Sequence, residues 1–203
     1  MSANSNHIKA SILQESLFKS IDSDTALHFP RYEFAKTVFD AVEANREYLG
    51  KWLSWVAHST EVKHTYNFIG ESLKYLEGGQ RLPTFIFYRQ QFAGSIGFVR
   101  INKAHRKGEI GYWLKADLQG KGIMTKACRT IIQHAFEELQ LHRIEIRALS
   151  ENLPSRAIPE RLGFQQEAIL RQDIFQNEKF NDTIIYGLLN TTEDHKTEFP
   201  QIL

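Results

Sequence analysis

Three groups of residues could do chemistry. The first is Gln119-Gly120-Lys121-Gly122-Ile123-Met124-Thr125. It follows a run rich in β-formers, Glu109 to Leu114. It opens a segment in which Met124, Cys128, Ile131, Ala135 and Leu139 recur three or four residues apart, the spacing of one helix face. Strand, glycine-bearing turn and helix, in that order, aim backbone N–H groups and the positive end of a helix at one point, which favours a phosphate or pyrophosphate. Gly120 and Gly122 lack the Cβ that would hold an anion off the backbone. The loop matches neither Gly-x-x-x-x-Gly-Lys-Ser/Thr nor a complete Gly-x-Gly-x-x-Gly, so plain turn chemistry is the competing reading. The second group is Glu109, on the strand that leads to this loop. In an apolar cleft its carboxyl would titrate high enough to act as a base; on the surface or in a salt bridge it would not. Alternation puts Glu109, Gly111, Trp113 and Lys115 on one face, without saying which face meets a cleft. The third group is Asn152 with Ser155, where Asn152 is suited to cap a helix carrying Pro154 in its first turn.

The elements that must position these groups are readable from period changes. A short strand at 26–29 leads through Pro30 into a helix from Arg31 to about Tyr48, with Phe34, Val38, Ala41 and Val42 on one face. Leu49 to Val56 carries Trp52 and Trp55, and a third helix from about Glu61 ends at Gly78-Gly79. Two β-rich runs, 84–88 and 92–99, flank Arg89-Gln90-Gln91 as a hairpin. The strand 108–115, the loop and the long helix follow. Arg143 to Ala148 alternates charged and apolar residues, as a strand with one buried face does. A helix at 153–162 is closed by Gly163, and two last strands are expected from Gly163 to Arg171 and from Phe180 to Leu189. Hairpins force antiparallel pairs and helical crossovers favour parallel ones, so the fold class is α/β (α+β) with a mixed sheet flanked by helices. Residues 1–24 are expected to add a strand or hairpin, and 191–203 a polar tail.

Composition narrows the function. In 203 residues, 25 Lys and Arg against 24 Asp and Glu give a net charge of +1, and no basic run suggests nucleic acid. The single Cys, Cys128, excludes an internal disulfide and a cysteine metal cluster, and its place on the apolar stripe marks it as core. The eight His form no His-x-x-x-His, so no metal is expected. No run is apolar for long enough to be a signal peptide or membrane span. A cytoplasmic protein is expected, in which the sequons at Asn181 and Asn190 carry no weight.

Gln119-x-x-Gly122-x-Met124 resembles the acyl-CoA pyrophosphate loop of the GNAT acetyltransferase superfamily, Gln/Arg-x-x-Gly-x-Gly/Ala. The Met departs from the broad pattern and is similar to the Gln-Gly-Lys-Gly-Ile-Met-Thr form of the Rim-type branch, acetyltransferases of ribosomal-protein N-termini. Asn45-Arg46-Glu47-Tyr48-Leu49-x-x-Trp52-Leu53-x-Trp55, and Asn152-x-x-Ser155 leading to Arg161-Leu162-Gly163-Phe164, match the same branch. The resemblance covers residues 25–190. It implies a GNAT fold in which strands 108–115 and 143–148 splay around acetyl-CoA. Backbone N–H groups of Gln119, Gly120, Lys121, Gly122, Ile123, Met124 and Thr125 would then hold the pyrophosphate. An N–H near Trp113 or Leu114 would meet the thioester carbonyl, Asn152 the pantetheine, and Ser155 the sulfur as proton donor. Glu109 is the candidate base, and the Trp52–Trp55 segment a wall of the acceptor cleft. The loop from Arg171 to Lys179 resembles the family's substrate-side loop, but a solvated loop is the preferred reading.

The implied reaction is direct attack of a primary amine on the thioester. An α-amine, with a pKa of about 7.7–8.0, needs little help from a base, whereas lysine at about 10.4 is almost wholly protonated. The branch resemblance implies a protein N-terminus, ribosomal or otherwise, as acceptor, and the α-amine pKa is compatible with it. Alternatives are another small amine (a polyamine, an amino sugar or an antibiotic) or a CoA-binding module without turnover; a polyamine would need carboxylates, and Glu33, Asp40, Glu43 and Glu47 on the first helix either supply them or form its solvated face. A homodimer is plausible for the branch.

Overall fold

The computed structural model describes residues 10–191. The strand or hairpin expected of residues 1–24 therefore lies in part, and the tail beyond 191 wholly, outside the described residues. Among the described residues the chain runs α1 (Ala10–Ser16), β1 (Leu17–Ser20), β2 (Thr25–His28), α2 (Ala35–Ala44), α3 (Arg46–Gly50), α4 (Val62–Glu77), β3 (Leu82–Tyr88), β4 (Gln91–Asn102), β5 (Lys107–Leu114), α5 (Ile123–Glu137), β6 (Arg143–Leu149), α6 (Leu153–Arg161), β7 (Gln165–Gln176) and β8 (Lys179–Leu189). The strands form one mixed sheet in the order β1-β2-β3-β4-β5-β6-β8-β7. Neighbours are antiparallel except β5 and β6, which the α5 crossover makes parallel.

Both faces are covered at the centre of the sheet, and β3 records this residue by residue. Ile86 packs with α5 residues such as Cys128, Ile131 and Ile132, while its neighbours Phe85 and Phe87 pack with Phe34, Val38 and Ile69 of the α2–α4 layer. Successive strand residues point to opposite faces, so α5 lies on one side of the sheet and α2 with α4 on the other. A third cluster, Val42, Leu49 and Val56, carries the α2–α4 layer out to Trp113 at the end of β5.

Three expectations are corrected. The helix expected from Arg31 to Tyr48 is broken at Asn45, where φ is −118° and ψ 13°. Asn45 Nδ2 donates to the Ala41 carbonyl at 2.8 Å, satisfying the end of α2, and a second short helix starts afresh. Leu139 does not continue the α5 stripe: the helix ends at Glu137, and Leu139 is exposed. The expected loop from Arg171 to Lys179 is mostly strand, because β7 and β8 close over a two-residue turn, Asn177-Glu178, with φ of 53° and 60°.

Candidate active site

The register of β5 opens the site. Its pairing with β6 stops at Ile110 opposite Ile146. Beyond that point β5 stays with β4, ending at Leu114 opposite Gly94, while β6 follows β8 to Leu149 opposite Thr183. The two strands therefore part, leaving a cavity of about 620 Å³ lined from β5, α3, α5 and α6. Lys115 N–H bonds back to Ala93 of β4 at 2.9 Å. Backbone groups alternate sides along a strand, so Trp113 N–H also faces β4, and Leu114 N–H faces the gap.

The loop at the cavity's end has the predicted order of strand, turn and helix. Gly120 and Gly122 adopt φ of +73° and +72°, a region L side chains rarely occupy. An added Cβ at either would meet no protein atom within 4 Å, so conformation, not protein packing, demands glycine. Gly122 is the N-cap of α5 and no side chain caps it. The first intrahelical bond there is Lys126 N–H to Gly122 at 3.0 Å, which leaves the N–H groups of Ile123, Met124 and Thr125 without an intrahelical acceptor. With the dipole of a 15-residue helix behind them, these donors suit an anion. Lys126 Nζ is engaged by Asp22 at 2.8 Å, and that hydrogen bond holds the Asp22 carboxyl down at about 2. Lys121 is exposed and lies outside the cavity lining. Arg161 Nη1 donates to Thr125 Oγ1 at 3.0 Å on the cavity wall.

On α6, Asn152 is the N-cap, its Oδ1 accepting Ser155 N–H at 3.3 Å. Ser155 Oγ faces the phenol of Tyr112, 3.4 Å away, and that phenol donates to the Ser155 carbonyl at 2.9 Å. Burial pushes the Tyr112 phenol well above its ordinary value, so it keeps its proton at neutral pH. Burial likewise pushes up the thiol of fully enclosed Cys128, a core group and no nucleophile.

The opposite wall is apolar and aromatic: Tyr48, Leu49, Trp52, Leu53 and Trp113. Trp55 stands behind it, its ring 6.3 Å from that of Trp113. Among the described residues that line the cavity there is no carboxylate and no histidine. Nor do the described residues gather three His, Cys, Asp or Glu where they could hold a metal. No described helix is long and apolar enough to cross a membrane.

Comparison with known proteins decides the family. The profile of the acetyltransferase (GNAT) domain matches residues 26–165. The chain belongs to the GNAT acetyltransferase family. Among curated relatives, the putative ribosomal N-acetyltransferase YdaF of Bacillus subtilis is 35% identical over 157 residues, which is 76% of this chain and 85% of that one. The ribosomal-protein-serine acetyltransferase of Escherichia coli is 26% identical over 82% of this chain and 93% of its own. Among solved structures, the microcin C7 self immunity acetyltransferase, in complex with acetyl-CoA and AMP, superposes with a TM-score of 0.80 at 27% identity, covering 87% of this chain and 99% of that one.

As a GNAT N-acetyltransferase the chain assembles most of the residues read from its sequence. Trp113, Leu114, Gln119, Gly120, Gly122, Ile123, Met124, Thr125, Asn152 and Ser155 all line one cavity. Glu109 does not. Its carboxylate lies 3.0 Å from Arg100 Nη2 and 3.6 Å from Arg147 Nε, in a charged ladder on the sheet face below the point where the strands part. The sequence placed Glu109 and Trp113 on one side of β5, which holds, but they stand four residues apart along it, and only the far end of the strand reaches the cavity. Tyr112 was not singled out, because a β5 aromatic reads as core until α6 is seen against it. Tyr48 stands inside the Asn45–Trp55 motif, and its partnership with Gln119 joins residues 71 apart.

Proposed function

We propose that this protein transfers acetyl from acetyl-CoA to the α-amine of a protein N-terminus, a ribosomal protein being the model acceptor. One observation carries the acceptor reading: the described cavity lining offers no carboxylate or histidine to take a proton from the amine. At pH 7.5 about a third of an α-amine is neutral, against about 0.1% of a lysine side chain. Such a site suits the amine that arrives already deprotonated. The carboxylates that a polyamine would need are elsewhere: Glu33, Asp40 and Glu43 are paired with Arg31, Lys36 and Arg46, and Glu47 is almost fully exposed. The names of the two ribosomal-protein relatives support the same reading.

The chain's own groups then divide the work. The N–H groups of Gly120 to Thr125 hold the pyrophosphate, fitted to it by two left-handed glycines and an uncapped helix. Leu114 N–H points into the gap where a thioester carbonyl would gain negative charge during attack. The Asn152 cap holds the first turn of α6, and with it Ser155, at the sulfur end of the cleft. When the C–S bond breaks, the thiolate takes a proton from the Ser155–Tyr112 hydroxyl pair, and the amide nitrogen gives one up to water. Water then returns a proton to the hydroxyl pair, so one proton has left nitrogen, one has reached sulfur and the pair ends as it began.

The test is a panel of acceptors incubated with acetyl-CoA and read by mass: peptides with free Ser or Ala N-termini, the same peptides N-terminally blocked but containing lysine, spermidine, and an amino sugar. Labelling of the free N-termini supports the proposal. Labelling confined to spermidine or sugar overturns the acceptor, and no labelling of any amine with CoA tightly bound overturns the catalytic reading in favour of a CoA-binding module.

A further inference from the structure

The short helix α3 is held from both sides of the cleft. At its start, Asn45 Oδ1 accepts the N–H of Ala116, in the turn that leads into the glycine loop, at 2.9 Å. Mid-helix, the Tyr48 phenol accepts from Gln119 Nε2 of the loop itself. At its end, Gln176 Nε2 donates to the Gly50 carbonyl at 3.0 Å from the β7–β8 turn. Arg46 folds the next segment back, its Nη1 donating to the Val56 carbonyl at 2.6 Å. Five residues of helix have little stability of their own. What holds α3 in place is therefore these contacts and the small Val42–Leu49–Val56 cluster.

We infer that residues 45–59 form a strap whose seating is coupled to the glycine loop, with Tyr48 and Asn45 as positioning residues that transmit donor binding to the amine-side wall. Gln119 is exposed, and a water-accessible hydrogen bond to a mobile side chain is worth little. Once a ligand fixes the loop backbone, the ordering cost of that contact has already been met, and the strap gains from it. The same strap carries Tyr48, Leu49, Trp52 and Leu53 of the cavity wall, so an amine meets a formed wall when the donor is in place. The inference rests on reading the loop as the donor site.

Amide hydrogen exchange on the full chain, with and without saturating CoA, tests it without knowledge of the acceptor. In the wild type, CoA is expected to slow exchange at 119–126 and, by about fivefold or more, across 45–59. In Tyr48→Phe, at its own saturating CoA, protection at 119–126 persists while that across 45–59 falls below about twofold. Gln119→Ala removes the same contact from the loop side and serves if Tyr48→Phe does not fold. Protection across 45–59 that is absent in the wild type, or undiminished in the variants, overturns the inference. Absence of protection at 119–126 overturns the donor reading first, and the inference falls with it.

Discussion

The Tyr112 phenol donates to the Ser155 carbonyl at 2.9 Å and stands 3.4 Å from Ser155 Oγ, locking a β5 aromatic to the first turn of α6 across the cleft. The contact spans 43 residues of sequence and fixes one hydroxyl pair on the cavity wall. If that pair delivers the proton to the thiolate, Ser155→Ala should lower kcat by about 10- to 100-fold with little change in the affinity for CoA. Tyr112→Phe should do the same. The double variant should lose much less than the product of the two, because both remove one path. Initial rates of the four proteins at saturating donor, with CoA affinity measured by calorimetry, decide it.

Gly122 sits at φ +72° with open space where a Cβ would go. Gly122→Ala should destabilise the protein by about 1 kcal/mol, because alanine resists the left-handed region, and should weaken CoA by about tenfold as the loop backbone shifts. Gly122→Asn, which tolerates that region better, should recover most of the stability. Urea midpoints and CoA titrations of the two variants separate conformation from binding.

Glu109 is paired with Arg100 and Arg147 outside the cavity. Glu109→Gln should change kcat by less than about twofold and leave the pH–rate profile in place, while stability falls by under about 1 kcal/mol. A loss of tenfold or more, with the alkaline limb of the profile altered, would restore Glu109 as the base.

His28 is buried against Phe87, with Ser16 Oγ 3.1 Å from its Nδ1, and burial lowers its pKa below the ordinary 6.5. A depressed histidine favours the neutral form in the folded state. Stability should therefore be full above about pH 6.5 and decline as pH falls below it, when the unfolded chain gains a proton that the folded one resists. Urea unfolding of wild type and His28→Gln from pH 7.5 to 5 should show a smaller decline for the variant.

Much of this was legible because it is local. The glycine loop, the helix behind it and the Asn152 cap are each written within a few residues, where spacing and conformation are tied. The parting of β5 and β6 was expected from family resemblance, and the register supports it at Ile110 and Ile146. What was not legible depends on the third dimension. Alternation put Glu109 on one face of its strand with Trp113 but could not say how far along that strand the cavity begins. The break at Asn45 was hidden because α2 and α3 carry one apolar stripe; the residue that interrupts them is recruited by Ala116, 71 positions away. Tyr48 was hidden for the same reason, since its partner Gln119 is equally remote.

Transfer to an α-amine can be read from one peptide that offers a free N-terminal serine and an internal lysine. It would be incubated with the enzyme and acetyl-CoA from pH 6.5 to 9, and tandem mass spectrometry would locate the acetyl group. Acetylation is expected at the N-terminus alone, at a rate that rises with pH and levels off near the α-amine pKa of about 8. Acetyl found on the lysine side chain, or a peptide left untouched while spermidine is consumed, would contradict it.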